Sequence, residues 1–323
     1  MKYRRYKPIV VCLVGFLSLL PFAVDNPYYL HLVIMVYINA ILGMGFSLIY
    51  STGLITLGAS AFWAIGAYAS ALLAMKSGVS VWLAMPFAMV ITGIVALLIG
   101  ALIVRYAGIG IVVFSLIICF LMERVFGYVE GFGGWGGIVA IPKPELIKLP
   151  FSYVIDFSNK VPWYYLSLFL VILTMLVLYL LDSSRIGRAW RSIRLDSRLA
   201  EAVGIYVYGY RLTAFVIASA FAGLAGSFYA HYSTTITPET FGILKSIHIQ
   251  IYSILGGLDY YILGPLIGSA IFTLLPEFLQ IRPEIEPYIT GSVLIVIVIF
   301  LPSGIAGLAQ WASLRISGLF RRY

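Results

Sequence analysis

Charge is scarce in this chain. Only 11% of its 323 residues are Asp, Glu, Lys or Arg, against about 25% in an ordinary soluble domain. Cysteine and histidine are scarcer, with two and three residues. Cys12 and Cys119 both sit inside apolar runs, no Cys-x-x-Cys occurs, and His31, His231 and His248 lack any ligand spacing. Disulfide frameworks and metal sites therefore have no support. Gly-x-x-x-x-Gly-Lys-Ser/Thr is also missing, so the chain has no P-loop for ATP. "GFGGWG" at 131–136 fits Gly-x-Gly-x-x-Gly, but it runs into "GIVAIPKP". Two prolines and no following helix deny it a strand–turn–helix setting, leaving a flexible or tightly turned loop. No nucleophile–base arrangement stands out. Neither an enzyme nor a bound cofactor is expected.

What the chain has instead is apolar surface. Hydrophobic residues make up 62% of it, and its mean hydropathy is +1.01. No water-soluble core could hide so much, so the solvent must be a bilayer. The net charge of +8 lies in short segments between apolar runs. That pattern indicates membrane topology, not nucleic acid.

The fold class expected is all-α, a polytopic integral membrane protein. Spans need about 20 mostly apolar residues, and ten candidates meet this: 8–24, 28–50, 54–75, 81–104, 108–126, 161–181, 210–232, 242–257, 261–280 and 287–302. A range of eight to ten is allowed for. The first follows Lys2, Arg4, Arg5 and Lys7 and resembles a secretory signal; with so many spans after it, an uncleaved first helix is expected. The third is rich in small residues, and the eighth is short and holds Lys245, His248 and Gln250. Either could be a broken or re-entrant segment buried in protein. The domain reading is one membrane-spanning unit over 1–323, with an extracytoplasmic loop at 127–160 and a cytoplasmic loop at 182–209.

Counting charges orients it. With the N-terminus in the cytoplasm, the inner segments hold 14 of the 21 basic residues and 4 of the 13 acidic ones, a balance of +10; the outer segments hold 7 and 9, a balance of −2. The positive-inside rule then places both termini in the cytoplasm.

One inner segment concentrates this charge. "RIGRAWRSIRLDSRLAEAVG", 185–204, carries five arginines in fourteen positions. At 100° per residue, Ile186, Ala189, Trp190, Ile193 and Ala200 share an apolar stripe, while Arg188, Arg191, Arg194 and Arg198 lie opposite and Arg185 at the edge. A short basic amphipathic helix is expected, stopped near Gly204. Its stripe needs a surface, either lipid or a partner protein.

The stretch "GRAWRSIRLDSRLAEAVGIYVYGYRLTAFVIASAFAGLAGSFYAHY", 187–232, resembles the coupling loop and following span of the membrane subunits of branched-chain amino acid ABC importers, of the LivM/LivH family and closest to the LivM type. The likeness continues through 237–247, 255–277 and 301–308, and "GLITLGASAFWAIGAYASALL" at 53–73 shares it. Where such permeases have a Gly-Gln-Leu-Ser-Leu-Gly-His type of sequence, this chain has "GLITLGAS", with Thr56 for the serine and Ser60 at or beside the histidine; Asp259-Tyr260 replaces a small Gly-Ser pair. The resemblance implies a bacterial or archaeal plasma-membrane permease that moves branched-chain or other hydrophobic amino acids. It implies a homologous second permease, two cytoplasmic ABC ATPases and an extracytoplasmic solute-binding protein as partners, with membrane lipid around them and no nucleic acid. It further implies that 185–204 is a coupling helix. Ile186, Trp190 and Ile193 would anchor it in an ATPase groove, Arg188, Arg191, Arg194 and Arg198 would orient it, Glu201 would fix the loop or pair across the contact, and Gly204 would end it. The nearest alternative is the same importer class carrying urea or short amides. A self-powered secondary transporter would need paired intramembrane acids, which are not found.

Polar residues inside spans are costly and so mark a substrate path. Asn39, Thr56, Ser60, Ser115, His248 and Gln250 are the candidates, with Ser47, Glu123 and Ser246 beside them; hydrogen bonding within the fold is the competing role of each.

Overall fold

A computed structural model describes residues 26–278, apart from Ala107, 149–153, Asp259 and Tyr261, plus isolated positions at 15, 17–21 and between 288 and 307. The first and tenth expected spans, 8–24 and 287–302, lie largely outside the described residues. So does Asp259.

Among the described residues ten α-helices follow one another: α1 (Pro27–Tyr50), α2 (Ala59–Lys76), α3 (Val81–Ile103), α4 (Ile109–Tyr128), α5 (Lys160–Ser183), α6 (Arg185–Leu195), α7 (Ser197–Ala202), α8 (Val207–Ser233), α9 (Ile243–Gly256) and α10 (Leu263–Phe278). Among the described residues, α1, α3, α4, α5 and α8 are long and apolar enough to cross a membrane. The chain is a polytopic membrane protein. Besides helix there is a two-residue antiparallel pair in the loop between α4 and α5, β1 (Ile147–Lys148) with β2 (Val154–Ile155).

Local chemistry sets the ends. Asn26 caps α1 by accepting from the Tyr28 N–H at 2.9 Å, with Pro27 in the first turn, where a missing N–H costs nothing. α8 closes on Thr234 in the left-handed region.

α1 and α8 form the centre. In its best membrane window α1 is 89% buried, against 28% for α3 and 22% for α4. α8 packs on α1, α2 and α3, while α1 also meets α5, α9 and α10. α3 and α4 turn Phe87, Ile94, Leu98, Val113, Ile117 and Leu121 outward, as a lipid-facing wall does. Glycine lets α2 and α8 touch backbone to backbone. A Cβ on Gly226 would overlap the Trp63 carbonyl, and one on Gly66 the Gly223 backbone. Such contact supplies dispersion energy where lipid removes the hydrophobic drive.

Two expected spans are incomplete. The 54–75 segment is helical only from Ala59, and residues 51–58 run as turns and extended backbone. Ser51, Thr52, Leu54 and Thr56 in that stretch are nonetheless buried. The 242–257 segment becomes α9, only 14 residues long. It is led in by a 3₁₀ turn, Pro238–Phe241, whose Pro238 and Phe241 are buried.

Candidate functional site

The two interrupted segments meet. The start of α2 and the start of α9 are joined by Ser60 N–H donating to Ser246 Oγ at 3.0 Å. Irregular backbone inside a membrane protein must find side-chain partners, and this one does. Leu57 N–H donates to Ser115 Oγ at 2.8 Å. The Leu57 carbonyl accepts from the Cys119 thiol at 2.9 Å. Gln250 Nε2 donates to the Thr56 carbonyl at 2.9 Å. Ser246 Oγ also lies 2.8 Å from Ser60 Oγ and 3.2 Å from Cys119 Sγ.

Four of the six path candidates, Thr56, Ser60, Ser115 and Gln250, therefore come together around the α2 lead-in. Ser115 Oγ and Gln250 Nε2 serve that backbone, while Ser60 Oγ pairs with Ser246 Oγ and Cys119 Sγ. The small space beside Thr56, walled by Phe46, Phe62, Phe215 and Ser219, is about 10 Å³, room for one water. The other two lie apart. Asn39 donates to Thr273 on α10 at 3.1 Å, and the His248 ring packs on Phe272 at 5.2 Å. Ser246 was visible in the sequence as an intramembrane polar residue. Cys119 was read there only as a small apolar one; its i, i+4 spacing from Ser115 is the signal that puts both on one face of α4.

The arginine segment is two helices. Ser184 caps α6, accepting from Ile186 N–H at 3.1 Å. The single helix expected up to Gly204 is corrected at Asp196. This residue leaves helical geometry and turns its carboxylate back to accept from Arg198 N–H at 2.8 Å and Leu199 N–H at 3.1 Å, starting α7. A short acidic side chain competes with the helix for its own backbone. Gly204, at φ +86°, follows α7, a conformation suited to glycine.

The apolar stripe faces inward. Trp190 and Ile193 are each 2% exposed. Trp190 Nε1 donates to the Tyr210 carbonyl at 2.9 Å, and Ile193 packs with Ala200 and Val207. Ile186 packs partly on the main core. The expected anchors are thus held by this chain's own α8 and core, because the membrane body itself offers the apolar surface the stripe needs. Gly187 sits directly on the Asp182 backbone, with no room for a Cβ.

The arginines divide. Arg191 forms an ion pair with Asp182 at the end of α5. Arg194 lies over the Tyr50 ring, 4.3 Å from its centroid, and Arg211 reaches the Thr52 carbonyl. Arg185, Arg188, Arg198 and Glu201 are exposed. A row missed in the sequence stands out beside them: Leu195, Leu199, Val203 and Tyr206 are 88%, 66%, 77% and 67% exposed. The break at Asp196 keeps Leu195 and Leu199 off one continuous helix face, so helical period alone does not group them.

At the opposite ends of α5 and α8, the loop over 127–160 is tied down. "GFGGWG" forms two 3₁₀ turns with Gly133, Gly134 and Gly137 at positive φ. Ile138 exchanges backbone hydrogen bonds with Ile236 at 2.9 Å each way, and Ile141 N–H donates to the Thr234 carbonyl at 3.0 Å. Buried His231 bridges the loop to α2. Its Nδ1 lies 2.7 Å from the Pro142 carbonyl and its Nε2 2.8 Å from Ser70 Oγ. Beside this strap, at the end of the bundle opposite the arginine segment, His31, Lys143, Phe157, Lys160, Trp163 and Tyr232 line a cavity of about 470 Å³.

A family model described as "Branched-chain amino acid transport system / permease component" matches residues 28–301. The chain is 29% identical over 290 residues to the "High-affinity branched-chain amino acid transport system permease protein LivM" of Salmonella typhimurium, covering 84% of this chain and 68% of that protein. It is 28% identical over 159 residues to the corresponding LivH of Escherichia coli, covering 49% of this chain and 50% of that one. It is 39% identical over 108 residues to the "Probable branched-chain amino acid transport permease protein LivH" of Methanocaldococcus jannaschii, a third of each chain. No solved structure matches.

Proposed function

We propose, from the premise that this chain belongs to the branched-chain amino acid transport system permease component family, that it is one of two homologous membrane subunits of an importer for branched-chain and other hydrophobic amino acids. A LivH-type permease is its membrane partner, and an extracytoplasmic binding protein delivers the solute. Two ABC ATPases supply the energy, consistent with the missing P-loop. The chain sits in a bacterial or archaeal inner membrane with both termini cytoplasmic.

The observation that carries the energy-coupling part is the build of residues 185–204. Trp190, Ile193 and the Arg191–Asp182 pair fasten α6 and α7 to the ends of α5 and α8. Leu195, Leu199, Val203 and Tyr206 are left outward, with Arg198 and Glu201 among them. An apolar row with interleaved charges of both signs suits a protein groove. A segment resting on anionic lipid would carry cations alone on its polar side. A push on this surface passes through the clamped loop into α5 and central α8. A two-state switch of the pore needs such a rigid lever.

The test is reconstitution of the chain with the second permease, the ATPases and the binding protein in liposomes. Leucine uptake that requires ATP and every component is expected. Uptake by the single chain without ATP overturns the reading.

A further inference from the structure

We propose that the outer cavity between α1, α5 and α8 is a binding station for a small carboxylate with an apolar body, and that it favours amino acids over neutral amides. Its role in uptake rests on the importer reading above; its binding chemistry does not.

The place is fixed by the helices that frame it. α5 runs from Lys160 at the cavity to Ser183 beside the arginine segment, and α8 runs from that segment to Ser233 at the cavity. The cavity therefore opens on the face opposite the coupling surface, where a delivered solute first meets the permease. About 470 Å³ falls within the roughly 300–1,000 Å³ of small-molecule sites.

The charge inside is positive. Lys143 comes from the outer loop and Lys160 from the first turn of α5. Asp156 lies on the neighbouring turn. The Ser158 N–H donates to its carboxylate at 2.8 Å, and this bond, with the Ser158 hydroxyl and the charge of Lys143, holds its carboxyl below the usual range. Lys143 acts on Asp156, Lys160 also lines the cavity, and no carboxylate is among the described lining residues, so that lining offers positive charge to an incoming anion.

The walls are aromatic and already ordered. Trp163 meets Tyr232 edge-on at 5.3 Å, and its indole N–H is bound to the Phe157 carbonyl at 2.8 Å. Tyr232 stacks near-parallel on His31, and its hydroxyl lies 2.6 Å from His31 Nδ1. Rings held this way lose little freedom when a ligand arrives. With Trp163 and Phe157 buried behind them, the partly exposed rings of His31, Tyr229 and Tyr232 offer apolar surface to an aliphatic side chain and π-faces to an ammonium group. Lysines beside fixed rings suit a carboxylate with an apolar tail. A neutral amide leaves the surplus charge unmatched.

The inner wall points onward. The Tyr229 ring lies 5.0 Å from buried Trp63. The Trp63 indole N–H and the Tyr68 hydroxyl on the same helix are buried with no hydrogen-bond partner among the described residues. Buried donors without partners are rare in folded proteins, and Trp63 lies directly behind Tyr229 of the cavity wall.

Binding of L-leucine, 4-methylpentanoate, leucinol and 4-methylpentanamide to the full chain in nanodiscs, followed by ligand-detected NMR, tests this. The two carboxylates should bind and the alcohol and amide should not. The Lys143→Gln/Lys160→Gln double variant should weaken carboxylate binding by about tenfold or more, while Lys143→Arg/Lys160→Arg retains it. Equal binding of leucinol and leucine overturns the proposal, as does unchanged affinity in the Gln variant with an unchanged melting temperature. In the assembled importer the two readings separate. ATP-driven leucine uptake with unaltered KM in the Gln variant rejects the station and leaves the importer. Lysine-dependent binding without uptake by the parent complex keeps the station and rejects the importer.

Discussion

The indole N–H of Trp190 donates to the backbone carbonyl of Tyr210 across 2.9 Å. One hydrogen bond thereby joins the arginine helix α6 to the first turn of α8, the long helix at the centre of the bundle. The residue that looked in the sequence like an anchor for a partner protein is the fastening between the loop and its own membrane body. In the proposed importer, the surface left for a partner is the outward one, with Leu199 and Val203.

Trp190→Ala should loosen this fastening. It removes a buried ring and its added hydrogen bond to the Tyr210 carbonyl, a loss of about 3–5 kcal/mol for a fully buried aromatic. Arg188, Arg191 and Arg198 are trypsin sites on the same segment. Limited trypsinolysis of the detergent-solubilised variant should cut at 188–198 far faster than the parent. Equal cleavage rates would show that the ring does not hold the loop.

Leu199→Glu/Val203→Glu should behave differently. Both side chains are exposed, so stability should stay within about 0.5 kcal/mol, and membrane insertion should be unaffected. Co-purification with the ATPases should fall at least tenfold, since buried apolar contacts dominate such interfaces. Retained association at normal melting temperature would remove the exposed row from the coupling surface.

How far residues announce their neighbours explains which features were legible in the sequence. Eight of the ten expected spans correspond to α1–α5 and α8–α10, because a long apolar run needs only the bilayer to explain it. Small residues and intramembrane polar groups also pointed to the interrupted starts of α2 and α9. Period alone gave the stripe of Trp190 and Ile193, but not which surface it covers, since that depends on where Tyr210 and Val207 come to lie. The break at Asp196 was hidden because capping and helix continuation use the same residue type. The outer cavity was hidden for another reason. Its lining comes from four separated segments, around 31–35, at 143, at 157–163 and at 229–233, and no local pattern joins them.

Close contact of α2 and α8 makes a sharp comparison of two glycines. Gly226→Ala forces a Cβ into the Trp63 carbonyl, where backbone must move. Overpacking of this kind costs about 1–3 kcal/mol or more. Gly93→Ala puts its Cβ 3.7 Å from the Ala220 methyl, an ordinary contact. Thermal unfolding in one detergent should show a clear drop for the first and none for the second. Equal melting temperatures would mean that the backbones are not in contact.

The Ser246 hydroxyl supports the irregular stretch before α2 from three directions, through Ser60 N–H, Ser60 Oγ and Cys119 Sγ. Ser246→Ala removes all three and leaves a buried N–H unpaired, a penalty of about 1–3 kcal/mol. That penalty falls on local opening more than on global unfolding, because the stretch has little helix of its own to hold it. Cys119 lies beneath it and is buried. In a Cys12→Ser background, a membrane-permeant maleimide should label Cys119 at least about fivefold faster in Ser246→Ala than in the parent, following the larger open population. Ser246→Thr keeps the hydroxyl and should restore protection. Labelling that is equally slow in the alanine variant would mean that Ser246 is a bystander and that the stretch is held by Ser115 and Gln250 alone.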